Sequence, residues 1–122
     1  MINLDQEVFD ALNNDAGLIL LLSGRRVYEP NRAPDDENRL PAIIYEEISN
    51  VPALAADDEE NASRVTYSIR AYTWDDNLLA IINAIERVMI AINFTRHSSL
   101  PAKSEYIDLK GKEILFITTK EC

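Results

Sequence analysis

The chain has 122 residues, 47% hydrophobic and 27% charged, a composition typical of a single folded domain spanning residues 1–122. Its formal net charge of −9, from 21 acidic and 12 basic residues, argues against specific nucleic-acid binding, which requires clustered Lys and Arg. Cys122 is the only cysteine, so the chain can form neither an intrachain disulfide nor a cysteine-based zinc site.

The N-terminal part of the chain is predicted to form two helices. Apolar residues recur at helical spacing over residues 4–13, and Asn3 can cap the first turn. Asp15 can cap a second, short helix that ends at Ser23 and Gly24. The sequence MINLDQEVFD lacks a basic region followed by an apolar run, and the longest apolar stretch, GLILLL, is far shorter than the ~20 residues of a membrane span. We therefore expect a soluble cytoplasmic protein.

Three strands are predicted next. RRVYEP indicates a short strand ended by Pro30, and the turn-rich residues 31–40 are expected to form a surface loop. Pro41 leads AIIYEEIS, a β-branched and aromatic run that predicts the second strand. SRVTYSIRAY is the clearest strand, because buried and solvated residue types alternate with period two from Val65 onwards.

A long acidic connection joins the second and third predicted strands. Residues 50–63 are small and acidic and contain no glycine, whereas hairpins usually need two to five connecting residues. We predict a mobile loop over about residues 50–63 that becomes ordered only when the subunit meets its neighbours. A surface loop without function is the alternative.

The C-terminal half is predicted to contain one long helix and three strands. The helix, over residues 75–92, has apolar residues on more than one stripe, so either a neighbouring molecule covers part of it or this chain alone surrounds it. The strands are NFTRHSS, SEYIDL and EILFITTK, with Lys110, Gly111 and Lys112 as a hairpin turn between the last two. The order α-α-β-β-β-α-β-β-β indicates an α+β fold, a single mostly antiparallel β-sheet with helices packed on one face.

No catalytic, cofactor or metal site is predicted from the sequence. His97 is the only histidine, and its context TRHSS favours a surface strand position. The run of four acids over residues 57–60 lacks the glycine turn of a calcium loop, and Glu46 and Glu47 should point to opposite faces of a strand. Trp74, at a strand-to-helix junction, is expected to hold the helix on the sheet. The alternative is a small-molecule pocket lined by Trp74, Tyr67 and Tyr72.

The linear pattern of the chain resembles a known family. Three segments occur in a characteristic order, namely RRVYEP, LPAIIYEEIS and RVTYSIRAYTWDDNLLAIINAIERVM. This order resembles that of the small tail-completion or tail-terminator proteins of long-tailed bacteriophages and prophages. The resemblance covers roughly residues 4–119. It implies a structural protein without enzymatic activity or cofactor. Such proteins form a ring, commonly a hexamer, at the head-proximal end of the tail tube, where they end tail polymerisation and present the docking surface for the head.

The resemblance also implies partners and a location. The partners are further copies of the chain, the tail-tube protein and the head completion or connector protein. The expected location is the host bacterial cytoplasm during assembly and the virion tail afterwards. Two alternatives stay open, namely another ring-forming head–tail connector subunit and a small-molecule-binding regulatory α+β domain.

Candidate contact residues follow from the position of the predicted mobile loop. The two strands that flank it carry charged residues, and the loop itself carries a run of acids, so these side chains are expected to contact neighbouring copies or the tail. They are Glu46, Arg64, Arg70, Asp57, Asp58, Glu59 and Glu60.

Overall fold

The computed structural model describes residues 3–30, 41–54, 60–102 and 109–121. Two helices open this part of the chain, α1 (Asp5–Asn13) and α2 (Ala16–Leu22). The backbone amide of Leu18 donates to the Asp15 side chain at 3.0 Å, so Asp15 caps α2 as predicted. The helix ends at Ser23, whose φ of 59° lies in the left-handed region, and the Gly24 amide donates back to the Ile19 carbonyl at 2.9 Å.

The third helix, α3, is Leu78–Ala91. The sheet in the described part of the chain has five strands, which are β1 (Val27–Tyr28), β2 (Ala42–Leu54), β3 (Glu60–Thr73), β4 (Thr95–Pro101) and β5 (Lys110–Glu121). Their spatial order is β1-β2-β3-β5-β4. Only β1 and β2 run parallel, and every other neighbouring pair is antiparallel. This arrangement confirms the predicted α+β class with a mostly antiparallel sheet.

The hydrophobic core lies between one face of the sheet and the three helices. Alternate residues of β3, from Val65 to Ala71, are 0% exposed, which confirms the period-two prediction. Ile114 and Phe116 of β5 lie opposite Ile69 and Tyr67 on this same face. The helices contribute further buried side chains, among them Val8, Leu12, Leu18, Leu22, Ile81, Ile85 and Met89.

The long helix is surrounded largely by its own chain. α3 contacts α1 and α2 on one side and strands β3, β4 and β5 on the other. Leu79 and Ile90 are the large apolar side chains that α3 leaves exposed, at 72% and 58%. None of the described helices is long and apolar enough to cross a membrane.

The predicted turn at Lys110, Gly111 and Lys112 is wrong. All three residues belong to β5, and Gly111 pairs with Tyr72 of β3. The glycine is required by a close approach rather than by a turn, because a Cβ at this position would lie 2.9 Å from two ring carbons of Tyr72. The predicted SEYIDL strand falls almost entirely on residues 103–108, which lie outside the described residues.

The predicted loop over residues 50–63 is wrong at both of its ends. β2 continues to Leu54 and β3 begins at Glu60, with Asn50 opposite Val65 and Pro52 opposite Ser63. Pairing with β3 therefore overrides the weak strand propensity of the small residues, and an irregularity of the register after Pro52 accommodates the proline. Residues 55–59 lie outside the described residues, so the mobility of that segment stays a prediction.

Candidate functional site

The sheet face turned away from the helices is the candidate interaction surface, and we call it the open face. Strand alternation places the even-numbered residues of β3 here, namely Arg64, Thr66, Ser68, Arg70 and Tyr72. Their partners in register on β5 are odd-numbered, so Glu113 lies opposite Arg70 and Leu115 lies opposite Ser68. On β2 the matching positions are Ile44 and Glu46.

A half-buried charge network occupies the middle of the open face. Arg70 Nη2 lies 3.4 Å from Glu46 Oε1, and Ser68 Oγ donates to Glu113 Oε2 at 2.6 Å. Ser68 is 0% exposed, because the longer neighbouring side chains cover it. Arg70 Nε is buried without a hydrogen-bond partner among the described residues. The network therefore orients the Arg70 guanidinium and leaves one of its donors unused.

The sequence-predicted contact residues divide into three groups. Glu46 and Arg70 form the ion pair of the open face. Arg64 is exposed on the same face, opposite Val51 of β2, and lies about 20 Å along β3 from Arg70 by strand rise. The loop acids Asp57, Asp58 and Glu59 lie outside the described residues, and Glu60 begins β3.

Surface cavities lie beside the sheet in the described part of the chain. A cavity of about 320 Å³ on the open face is lined by Arg70, Tyr72 and Glu113 together with Pro101 and Ala102. A second, of about 360 Å³ beside β4, includes His97, and a third, of about 230 Å³ beside β2, includes Glu46 and Glu47. Within the described residues, no group of His, Cys, Asp or Glu is arranged to hold a metal ion.

Two polar contacts that the sequence analysis missed hold the helices against the core. The buried Tyr67 hydroxyl donates to the Asp5 carboxylate, and burial together with this hydrogen bond raises the pKa of Tyr67 well above its usual value. Arg87 of α3 donates from both terminal nitrogens to Asp15, at 3.0 and 2.7 Å, which lowers the pKa of Asp15. The partners are 62 and 72 residues apart, so no local signal marks them.

Comparison with known proteins identifies the family. Residues 6–106 match the family described as Tail completion protein gp17. The chain belongs to this family. Family membership makes it a structural protein of the phage tail, and it confirms the resemblance noted in the sequence.

The fold of this tail completion family member is also found in a solved structure of a virion. A chain from a structure titled "Virion of native gene transfer agent (GTA) particle" is similar with a TM-score of 0.64 and 16% sequence identity, over 94% of this chain and 92% of that chain. At this identity the likeness shows the fold alone. No curated protein matches the chain.

Proposed function

We propose that this chain ends the tail tube. Copies of it form a ring, a hexamer as the resemblance implies, at the head-proximal end of the tube, where the ring ends tail polymerisation and provides the surface to which the head docks. The observation that carries the proposal is the family match over residues 6–106. The partners are the chain itself, the tail-tube protein and the head completion or connector protein, and assembly takes place in the host bacterial cytoplasm.

The distribution of exposed apolar side chains supports a subunit with more than one partner. Leu20 on α2 and Leu79 on α3 are 82% and 72% exposed. These helices meet through the contact of Asn77 with the Leu21 carbonyl, so Leu20 and Leu79 lie at the same end of the helix pair. A separate group lies on the sheet strands and consists of Ile48, Val51 and Leu100. Apolar side chains on two sides of one small domain suit contacts to different neighbours.

The acidic charge supports a role at a channel through which DNA passes. A net charge of −9 repels phosphate, so DNA would move through a ring of such subunits without being held. The charge network on the open face adds no basic patch, because Arg70 is accompanied there by Glu46 and Glu113.

The two alternative functions predict different outcomes. A head–tail connector subunit would also form rings, but it would bind the head rather than a free tube end. A small-molecule-binding domain with Tyr67 and Tyr72 in one pocket has no support in the geometry, because Tyr67 is buried in the core and Tyr72 lies on the open face.

A capping assay tests the proposal. Purified tail tubes with free ends are mixed with the protein and imaged by negative stain, and tube growth is followed after addition of tail-tube protein. We expect a ring at one end of each tube and arrested growth at that end. Unchanged growth and bare ends would contradict the proposed function, and rings bound only to empty heads would favour the connector alternative.

A further inference from the structure

A cavity lies at one end of the sheet, where the chain passes from α3 into β4. α3 ends at Ala91, and Asn93, with a φ of 71°, turns the chain so that β4 begins at Thr95 opposite Ile117 of β5. β5 itself continues beside β3 as far as Glu121. We call the cavity of about 360 Å³ beside this end of β4 the β4–β5 notch.

Most polar side chains that line the β4–β5 notch can donate hydrogen bonds. They are the side chains of Thr95, Arg96, His97 and Thr119. Thr118, which is 5% exposed, donates instead to the Asn93 carbonyl at 2.8 Å and so holds the turn that forms one wall. Among the described residues, no acidic side chain lines the notch.

Two arginines at the β4–β5 notch favour an acidic ligand. Arg96 donates through Nη1 to Glu86 of α3 at 2.7 Å, yet its side chain stays 56% exposed, and a guanidinium has further donors for a second carboxylate. Arg64 of β3 is exposed and lies opposite Thr119 in register, about 5 Å from it by strand spacing. The notch of this acidic chain therefore suits a segment that carries carboxylates.

The chain itself contains such a segment. Residues 57–60 are four consecutive acids, in the connection that follows the end of β2 at Leu54 and leads into β3. Leu54 pairs with Glu60, and Arg64, four residues further along β3, pairs with Thr119. The acid run and the notch therefore belong to the same end of the sheet.

The geometry favours an acid run from a second copy over the run of the same copy. Glu60 lies four residues along β3 from Arg64, roughly 13 Å by strand rise. Only residues 55–59 join the paired ends at Leu54 and Glu60, which leaves little chain for reaching back past β3 and β5 to the notch. A neighbouring copy that is displaced along the strand direction, as in a ring whose strands are tilted against the ring axis, can bring its acids to the level of the notch.

We propose that the β4–β5 notch binds the acidic residues 57–60 of a second copy of this chain. Arg96 and Arg64 pair with the carboxylates, and the threonine hydroxyls of the notch donate to them. The contact joins different surfaces of the two copies, and repetition of such a contact closes into a ring when its rotation permits. The inference rests on the proposed ring-forming function and names one contact that builds the ring.

Cross-linking between two variants tests the assignment in a Cys122→Ser background. Thr119→Cys protein, isotope-labelled, is mixed with unlabelled Asp58→Cys protein in the presence of tail tubes and treated with a short bismaleimide. We expect a covalent heterodimer, identified by its mass. Arg25→Cys in place of Thr119→Cys is the control and should give no heterodimer, because Arg25 is exposed between α2 and β1, away from the notch.

A chain that carries both cysteines distinguishes a second copy from the same copy. If the acids bind the notch of a neighbour, the double variant should give a ladder of covalent multimers ending at the ring size. An internally cross-linked monomer, with no heterodimer in the mixture of single variants, would overturn the assignment to a second copy.

A charge exchange tests the contact without cross-linking. Arg64→Glu is expected to raise the concentration at half-maximal assembly roughly fivefold, and adding Asp57→Lys and Asp58→Lys should reverse the change. Arg25→Glu is the matched control, because it makes the same change of charge on an exposed arginine outside the notch. Equal effects of Arg64→Glu and Arg25→Glu, or no reversal by the lysines, would overturn the contact.

The outcomes separate this inference from the proposed function. Rings that are visible by negative stain but give no heterodimer would overturn the notch contact and leave the capping function intact. Heterodimers from a protein that never caps tubes would support the contact and overturn the function. Absence of both rings and heterodimers would overturn both. Binding of duplex DNA that is lost in Arg64→Glu and kept in Arg25→Glu would also overturn the contact, since the notch arginines would then serve phosphate.

Discussion

At the scale of single residues, long-range polar contacts hold α1 and α2 in place. Tyr67 contacts Asp5 of α1, and Arg87 of α3 contacts the residue that caps α2. Each contact joins a helix to an element far away in the sequence, so its contribution to stability depends on the whole fold. Two substitutions measure these contributions.

Asp15→Asn should destabilise the protein at neutral pH although Asn is itself a good helix cap. The hydrogen bond from Arg87 lowers the pKa of Asp15 below its usual 3.8, so the charge of Asp15 stabilises the fold above that pH and ceases to do so as the pH falls through the folded-state pKa. Urea unfolding of both proteins at pH 7 and in strong acid checks this. Asp15→Ala, which also removes the cap, should cost about 1 kcal/mol more. A difference between wild type and Asp15→Asn that does not shrink in acid would contradict the assignment.

Tyr67→Phe should lower the free energy of unfolding by about 1–2 kcal/mol, because the Asp5 carboxylate loses its donor in a site where Tyr67 is 0% exposed. Tyr72→Phe on the open face is the matched control and should change stability by less than about 0.5 kcal/mol. Both values come from chemical unfolding. Equal effects of the two substitutions would show that the Tyr67 hydroxyl contributes nothing specific.

At the scale of secondary-structure elements, close contacts between strands determine details that composition does not reveal. Gly111 is a case in which a residue typical of turns lies within a strand. The ring of Tyr72 lies over its backbone, where any Cβ would come within 2.9 Å of two ring carbons. The glycine therefore serves the pairing of β3 with β5.

Gly111→Ala should destabilise the protein by about 1–2 kcal/mol, through overpacking against Tyr72 and Ala102. Tyr72→Ala should relieve most of this cost, so the double variant should be less unstable than the sum of the single changes. A double-mutant cycle on unfolding free energies measures the coupling. Strictly additive effects would show that the ring moves away freely.

At the scale of the whole molecule, the connection between β2 and β3 is predicted to take part in assembly. Residues 55–59 join two strands whose ends already pair at Leu54 and Glu60. The prediction that this segment becomes ordered on assembly can therefore be tested without dismantling the sheet.

Replacement of residues 55–59 by Asn-Gly should leave the melting temperature nearly unchanged, because Asn-Gly suits a tight hairpin between paired strands. If the segment contributes to assembly, capping of tail tubes should fall although the fold is intact. Replacement of Asp57, Asp58 and Glu59 by serine at constant length is the matched control for charge. Full capping by both variants would refute a role in assembly.

Local patterns in the sequence were enough to predict the class of fold and the family. Three features depend only on neighbours within a few residues: the helical spacing of residues 4–13, the Asp15 cap and the alternation along β3. Each could therefore be predicted from a short segment of sequence, and each is present in the structure. Patterns of this kind also carried the resemblance that the family match over residues 6–106 confirmed.

Contacts between distant residues, by contrast, depend on how the whole chain folds. Strand register determines three of these contacts, namely the ion pair of Glu46 with Arg70, the hydrogen bond of Ser68 with Glu113, and the close approach of Gly111 to Tyr72. Register is set by packing of the whole sheet against the helices, since a shift by one residue would turn every buried side chain of a strand outwards. For the same reason the strand ends at Leu54 and Glu60 could not be predicted from small and acidic residues, whose strand structure depends on having a partner to pair with.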